Sequence, residues 1–197
     1  MKHLFIVVFI SILSSGCTND NDENPKDFDN FTTVDYDIYS LILKEQFGNF
    51  EYYVISEETS KYAPNPFEDD FYGNRESLKE LDSSTIKSFI KANDSIYPLD
   101  KKFDVAPKSV QFVSKAQIDK IFDPGAPFDG WETFYKEHPD SNGYIIFGSI
   151  GYSELENEAI VEVAHIYGNL GAEGFMVVLE KKNEKWKIKQ AVHLWVS

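Results

Sequence analysis

The feature that most limits the fold is the last quarter of the chain, where four strand-like runs follow one another. They are Tyr144 to Ile150, Glu158 to Tyr167, Phe175 to Lys181 and Trp186 to Val196, separated by Ser153–Asn157, Gly168–Gly174 and Lys182–Lys185. Connections this short join antiparallel neighbours, because a parallel pair needs a crossover of about a dozen residues or more. The expected arrangement is therefore a four-stranded antiparallel meander. Alternation on the last run puts Trp186, Ile188, Val192, Leu194 and Val196 on one face, predicted as core. Lys185, Lys187, Lys189, His193 and Trp195 share the other, predicted as solvated or half covered by helices. The run Gly168 to Gly174 is expected to be a flexible hairpin loop, since no helix follows its glycines to make a phosphate cradle.

Helical periodicity dominates upstream. Val34, Ile38, Leu41 and Ile42 recur at helical spacing before Gly48, with Thr32 or Thr33 as N-cap. Asp82 caps a second predicted helix through Ile86, Phe89 and Ile90 to about Ala92. Lys115 to Phe122 and Gly130 to Glu137 are two short ones, and the second aligns Trp131, Phe134 and Tyr135. Phe50 to Ile55 and Val110 to Val113 read as strands that extend the meander by one or two members. The fold class expected is α+β, with several helices covering the C-terminal sheet over residues 31–197. Between them, Tyr62 to Arg75 reads as a long acidic surface loop.

The other end of the chain says where it lives. Lys2 and His3 precede the apolar run Leu4 to Leu13, whose length fits the hydrophobic region of an export signal rather than a spanning helix of about 20 residues. Ser14, Ser15 and Gly16 follow, and then Cys17, the only cysteine. This looks like a bacterial lipoprotein signal, residues 1–16, in which the Cys17 thiol is acylated and becomes the first residue after cleavage. An ordinary signal peptide cut near Gly16 and an uncleaved anchor are the alternatives. Thr18 to Asp29 holds five acids and one apolar residue, so residues 17–30 are expected to be an acidic tether reaching about 40 Å. The expected location is the cell envelope, lipid-anchored to the outer membrane at its periplasmic face or at the cell surface.

Charge narrows the partners. Loss of residues 1–16 removes Lys2 and no acid, so 19 basic residues become 18 against 33 acidic ones, a net charge of −15. A chain so acidic, whose only arginine is Arg75, is not expected to bind nucleic acid or an anionic lipid surface. With one cysteine there is no internal disulfide.

From Trp131 onward a second pattern runs through Phe134, Tyr135, Pro139, Ser141 and Gly143, then Ser149, Gly151, Tyr152, Ala159, Val161 and Val163. It ends on Gly168, Leu170, Gly171, Gly174, Leu179, Lys181, Trp186 and Ile188. On these residues the chain resembles a group of uncharacterised bacterial lipoproteins of Bacteroidota type. The resemblance implies an envelope protein and brings no catalytic assignment.

No stretch carries a catalytic or cofactor motif, and no cofactor or metal is expected. His138 precedes Pro139 in a predicted turn and should face solvent; His165 and His193 lie on different strands and could meet across the sheet beside Glu158 or Glu162. Ser149 within Gly148–Gly151 lacks the spacing of a nucleophile elbow. Tyr52, Tyr53, Trp131, Tyr135, Tyr144 and Trp195 exceed what one sheet face needs, and a curved sheet could gather them in an aromatic concavity for a carbohydrate, a lipid fragment or a protein segment. The candidate ligand-facing residues are therefore Trp131, Tyr135, His165, His193 and Trp195, with Cys17 as the lipidation site. The expected function is binding at the envelope, with an envelope hydrolase using acidic residues as the alternative.

Overall fold

A computed structural model describes residues 31–61, 78, 80–100, 102–125 and 129–197. The export segment, the tether and the loop Tyr62 to Arg75 lie outside these residues. One seven-stranded sheet carries the fold: β1 (Tyr53–Ser56), β2 (Val110–Val113), β3 (Tyr144–Phe147), β4 (Gly151–Tyr152), β5 (Glu158–Gly168), β6 (Gly171–Lys182) and β7 (Lys185–Val196). The spatial order is β2-β1-β3-β5-β6-β7, with β4 also paired to β5. β1 runs parallel to β2 and to β3, and the remaining pairs are antiparallel. The sheet is thus mixed and larger than the meander expected. Helices intervene between β1, β2 and β3, and such crossovers are what bring strands together in parallel.

Helices cover both faces of this sheet. On the first lie Tyr53, Ile55, Ile145, Phe147, Val161, Val163, Val177 and Leu179, under α1 (Thr33–Gln46). Half of α1 is buried, and residues 97–100 and 102–105 run beside it, with Phe103 against Tyr36 and Tyr39 of the helix and Phe112 and Phe147 of the sheet. That segment is pinned by the Tyr36 hydroxyl, accepting from Asp100 N at 2.5 Å, and the Ser40 hydroxyl, accepting from Asp104 N at 2.9 Å. The buried face of α1 is therefore Tyr36, Ile38, Tyr39, Ile42 and Leu43, and Val34, expected inside, is 44% exposed.

The opposite face splits in two. α2 (Ser83–Ala92) lies over Ile160, Met176, Val178, Val192 and Leu194, and its Phe89 backbone presses on Gly151. α3 (Lys115–Ile121) and α4 (Gly130–Glu137) enclose Val54, Val113, Ile121, Trp131 and Phe134.

β7 departs from simple alternation. Its pairing with β6 slips between Val178 and Leu179 and again between Gly174 and Phe175. Each bulge turns the following side chains to the other face. Trp186, Ile188 and Ala191 consequently pack on the α1 side, Val192, Leu194 and Trp195 on the α2 side, and Val196 is 74% exposed. Gly171 to Gly174 is strand, not loop. A Cβ at Gly171 would stand 2.7 Å from the Tyr167 ring and one at Gly174 would stand 2.2 Å from Trp195 Nε1, so these glycines seat aromatic rings.

Candidate functional site

The candidate ligand-facing residues fall on opposite faces of the sheet and form no common site. Trp131 and Tyr135 pack with Phe122, Phe134 and Tyr144 between α4 and the sheet, and the Tyr135 hydroxyl donates to Tyr167 O at 2.9 Å. Trp195 belongs to the α2 side. His165 and His193 do share the α1 side, but Phe175 separates them: its ring lies tilted against His193 at 4.5 Å and meets Phe47, whose ring lies 5.5 Å from His165.

His165 is a bridge instead. Its Nε2 meets Asn142 O at 2.5 Å and its Nδ1 meets Glu173 Oε1 at 3.3 Å. A carbonyl oxygen can only accept, so Nε2 is the donor to Asn142 O. Glu173 is the acid beside it. Glu158 accepts from Asp82 N and Thr85 Oγ1 at the start of α2, and Glu162 lies on the other face. His138 is buried rather than solvent-facing, because the turn folds it under Phe134. Its Nδ1 meets Gln111 Oε1 at 3.0 Å, and burial pushes the ring below its ordinary value.

Among the described residues Glu162 is the most displaced carboxyl. It is 7% exposed among Ile160, Met176 and Val178, and its hydrogen-bond partner is the indole of Trp195. Desolvation pushes it up to about 7 against the opposing Trp195 bond. Beside it, Gly148 donates its amide to Glu162 O at 2.8 Å. Ser149 is 2% exposed with a hydroxyl lacking a partner, so it is closed to substrate.

The open chemistry lies elsewhere, in a cleft of about 350 Å³ lined by Thr32, Val34, Asp37, Tyr152, Glu156, Lys181, Glu184 and Trp186. Six segments build it. Thr32 caps α1 in a capping box with Asp35 and places Val34 and Asp37 on the first turns. Tyr152 comes from β4, and its ring meets Trp186 of β7 edge-on at 5.8 Å. Two turns supply acids: Glu156 between β4 and β5 (φ 50°) and Glu184 between β6 and β7 (φ 60°). With Asn183 (φ 51°), Glu184 forms the primed two-residue turn that suits a twisted hairpin. Lys181 bridges to Glu184 at 3.4 Å.

At the cleft floor the Tyr152 hydroxyl donates to Asp35 Oδ1 at 2.6 Å. Burial first, and then the Asp35 charge, push this phenol far above its ordinary value. It is a hydrogen-bond anchor and not a proton carrier near neutrality. Among the described residues no cluster of three or more His, Cys, Asp or Glu could hold a metal ion. No helix among them is long and apolar enough to cross a membrane.

Comparisons with protein families, with curated proteins and with solved structures returned no match to this chain. The cleft therefore rests on its own geometry. Its residues span Thr32 to Trp186, and Trp186 reads from sequence as plain core, so no local motif announces it. The one local signal is the pair of acids, Glu154 and Glu156, in the tight turn Ser153–Asn157.

Proposed function

We propose that this is a lipid-anchored protein of the bacterial cell envelope, held to the outer membrane through acylated Cys17, that works as a binding module. The observation that carries the binding half is the cleft, which joins an aromatic wall to carboxylates and an ammonium where residue 31 enters the fold. A mostly apolar concavity with a few converging polar groups is the usual form of a small-ligand site. The strongly displaced groups support binding over acid–base chemistry: Glu162 is buried under α2, Tyr152 is engaged with Asp35, and the buried Tyr39 hydroxyl donates to Gly148 O.

The anchor rests on the sequence from Leu4 to Cys17. Several acyl chains, at about 0.8 kcal/mol per buried methylene, would hold the protein on a bilayer. Fractionation of cells expressing the wild type and Cys17→Ala tests it. The wild type is expected in the membrane pellet with an acylated N-terminal cysteine by mass spectrometry, and the variant in the soluble fraction. A variant that still pellets defeats the anchoring.

A further inference from the structure

We propose that the cleft recognises a zwitterionic phosphoamine, an ammonium joined by a short spacer to a phosphate ester, as in a phosphoethanolamine headgroup. The proposal deepens the binding reading and takes its ligand class from the cleft's own charges. Asp37, Glu156 and Glu184 approach from α1 and from two separate turns, and Lys181 on β6 is the one cation among the lining residues. A dianion would meet three carboxylates with a single ammonium to offset them. A bare metal ion would need ligands closer together than these elements bring them. A molecule with one positive and one negative end matches the set. Its ammonium sits among the carboxylates and against Trp186, whose ring face attracts cations. Its phosphate reaches Lys181, which already bridges to the exposed end of Glu184 and can turn to a stronger acceptor.

Size and place agree. About 350 Å³ lies at the low end of small-ligand pockets, roughly 300–1,000 Å³, and leaves room for a headgroup with its glycerol. Thr32 and Val34 line the cleft, and the thirty residues before Phe31 join the domain beside them. If Cys17 carries lipid, the cleft stands at the end of the domain from which the chain leaves for the bilayer.

The test uses the mature chain from residue 17 with Cys17→Ala, so that binding is read without the anchor. Titration with glycerophosphoethanolamine, followed by the Trp186 indole signal in NMR, is expected to saturate. Asp37→Asn and Glu156→Gln should each weaken it by about tenfold, and Lys181→Gln should weaken it less. Ethanolamine alone and glycerol phosphate alone should bind about tenfold more weakly than the joined molecule.

No saturable shift, an unchanged affinity in both carboxylate variants, or equal binding of ethanolamine alone overturns the proposal. Vesicle sedimentation separates the sources. Pelleting with phosphatidylethanolamine vesicles but not with phosphatidylglycerol vesicles assigns the ligand to a bilayer, and binding of the soluble headgroup without pelleting assigns it to a free zwitterion; both support the chemistry. Failure of the anchor shows only in the fractionation of Cys17→Ala, so the two results cannot be confused.

Discussion

Asn93 acts as a substitute strand for Ser149. Its Nδ2 donates to Ser149 O at 2.8 Å and its Oδ1 accepts from Ser149 N at 2.8 Å, while Nδ2 also donates to Phe89 O at 2.9 Å. Ser149 falls between Phe147, paired with Val163, and Gly151, paired with Ile160, where the chain steps from β3 to β4 along β5. A side-chain amide presents a donor and an acceptor with peptide-like spacing, so one residue at the end of α2 closes the gap. Asn93→Ala would leave both Ser149 groups buried and unpaired, at a cost of about 3 kcal/mol. Urea unfolding should show the midpoint falling with the slope unchanged, and Asn93→Asp should fare no better because it removes the donor.

The Glu162 carboxyl makes stability depend on pH. Its folded value near 7 stands above the 4.5 of a free glutamate, so the folded protein holds the proton more tightly than the unfolded chain does. The stabilisation is fully present below about pH 4.5 and is lost as pH rises through about 7, a total of about 3 kcal/mol. Glu162→Gln keeps an acceptor for Trp195 and removes the titration. It should be more stable than the wild type at pH 8 and show a flatter profile between pH 5 and 8 in denaturant titrations.

The elements that were legible in the sequence are those whose pattern is local. α1 and α2 start beside their predicted caps, α3 and α4 begin at Lys115 and Gly130 as read, and β2 spans Val110–Val113 as read. What was hidden depends on distant partners. The parallel pairing of β1 with β2 and β3 rests on contacts far apart in the chain, and no short-range pattern encodes it. Strict alternation failed on β7 because two bulges turn the strand, and each is invisible without the β6 register. Glycines at 171 and 174 signalled a loop when their role was to leave room for Tyr167 and Trp195. The same limit hid the cleft, whose lining comes from six segments, and it gathered Trp131 with His165 although the sheet lies between them.

Gly174 and Trp195 are paired in register, and the indole lies where a side chain would project. Gly174→Ala should force the ring away and with it the bond to Glu162, costing about 3 kcal/mol. Trp195→Phe should lose the same hydrogen bond without the clash. Combined, the two substitutions should cost clearly less than their sum, because each breaks the same contact. Thermal melts of the four-protein cycle measure this, and full additivity would separate Gly174 from the Glu162 site.

His165 ties the start of β3 to β6. Its ring is held by Asn142 O and Glu173 and packed against Phe47, Phe50 and Tyr167. His165→Leu keeps the volume but leaves the Asn142 carbonyl without its donor, so a loss of about 2 kcal/mol is expected. For a chain of this size the melting temperature should fall by about 4–8 °C. Glu173→Gln, which keeps an acceptor at a partly exposed position, should cost under about 1 kcal/mol in the same melt.

Asp35 joins the first turn of α1 to the floor of the cleft, and its two oxygens have different duties. Oδ2 accepts from Thr32 N at 2.6 Å and from Thr32 Oγ1 at 2.7 Å, closing the capping box, while Oδ1 accepts from the Tyr152 hydroxyl. Asp35→Ala removes all three bonds and the negative charge that favours a helix N-terminus, and should cost about 3 kcal/mol. Asp35→Asn is milder. Its carbonyl can serve Thr32 and its amide can donate to the Tyr152 oxygen, since a phenol accepts as well as donates, so about 1 kcal/mol is expected. Tyr152→Phe leaves the cap whole and strips one acceptor of its donor, placing it between the two. Chemical unfolding should return the order Asp35→Ala, Tyr152→Phe, Asp35→Asn. If Asp35→Asn proved as damaging as Asp35→Ala, the carboxylate's charge rather than its hydrogen bonds would be what holds this end of α1.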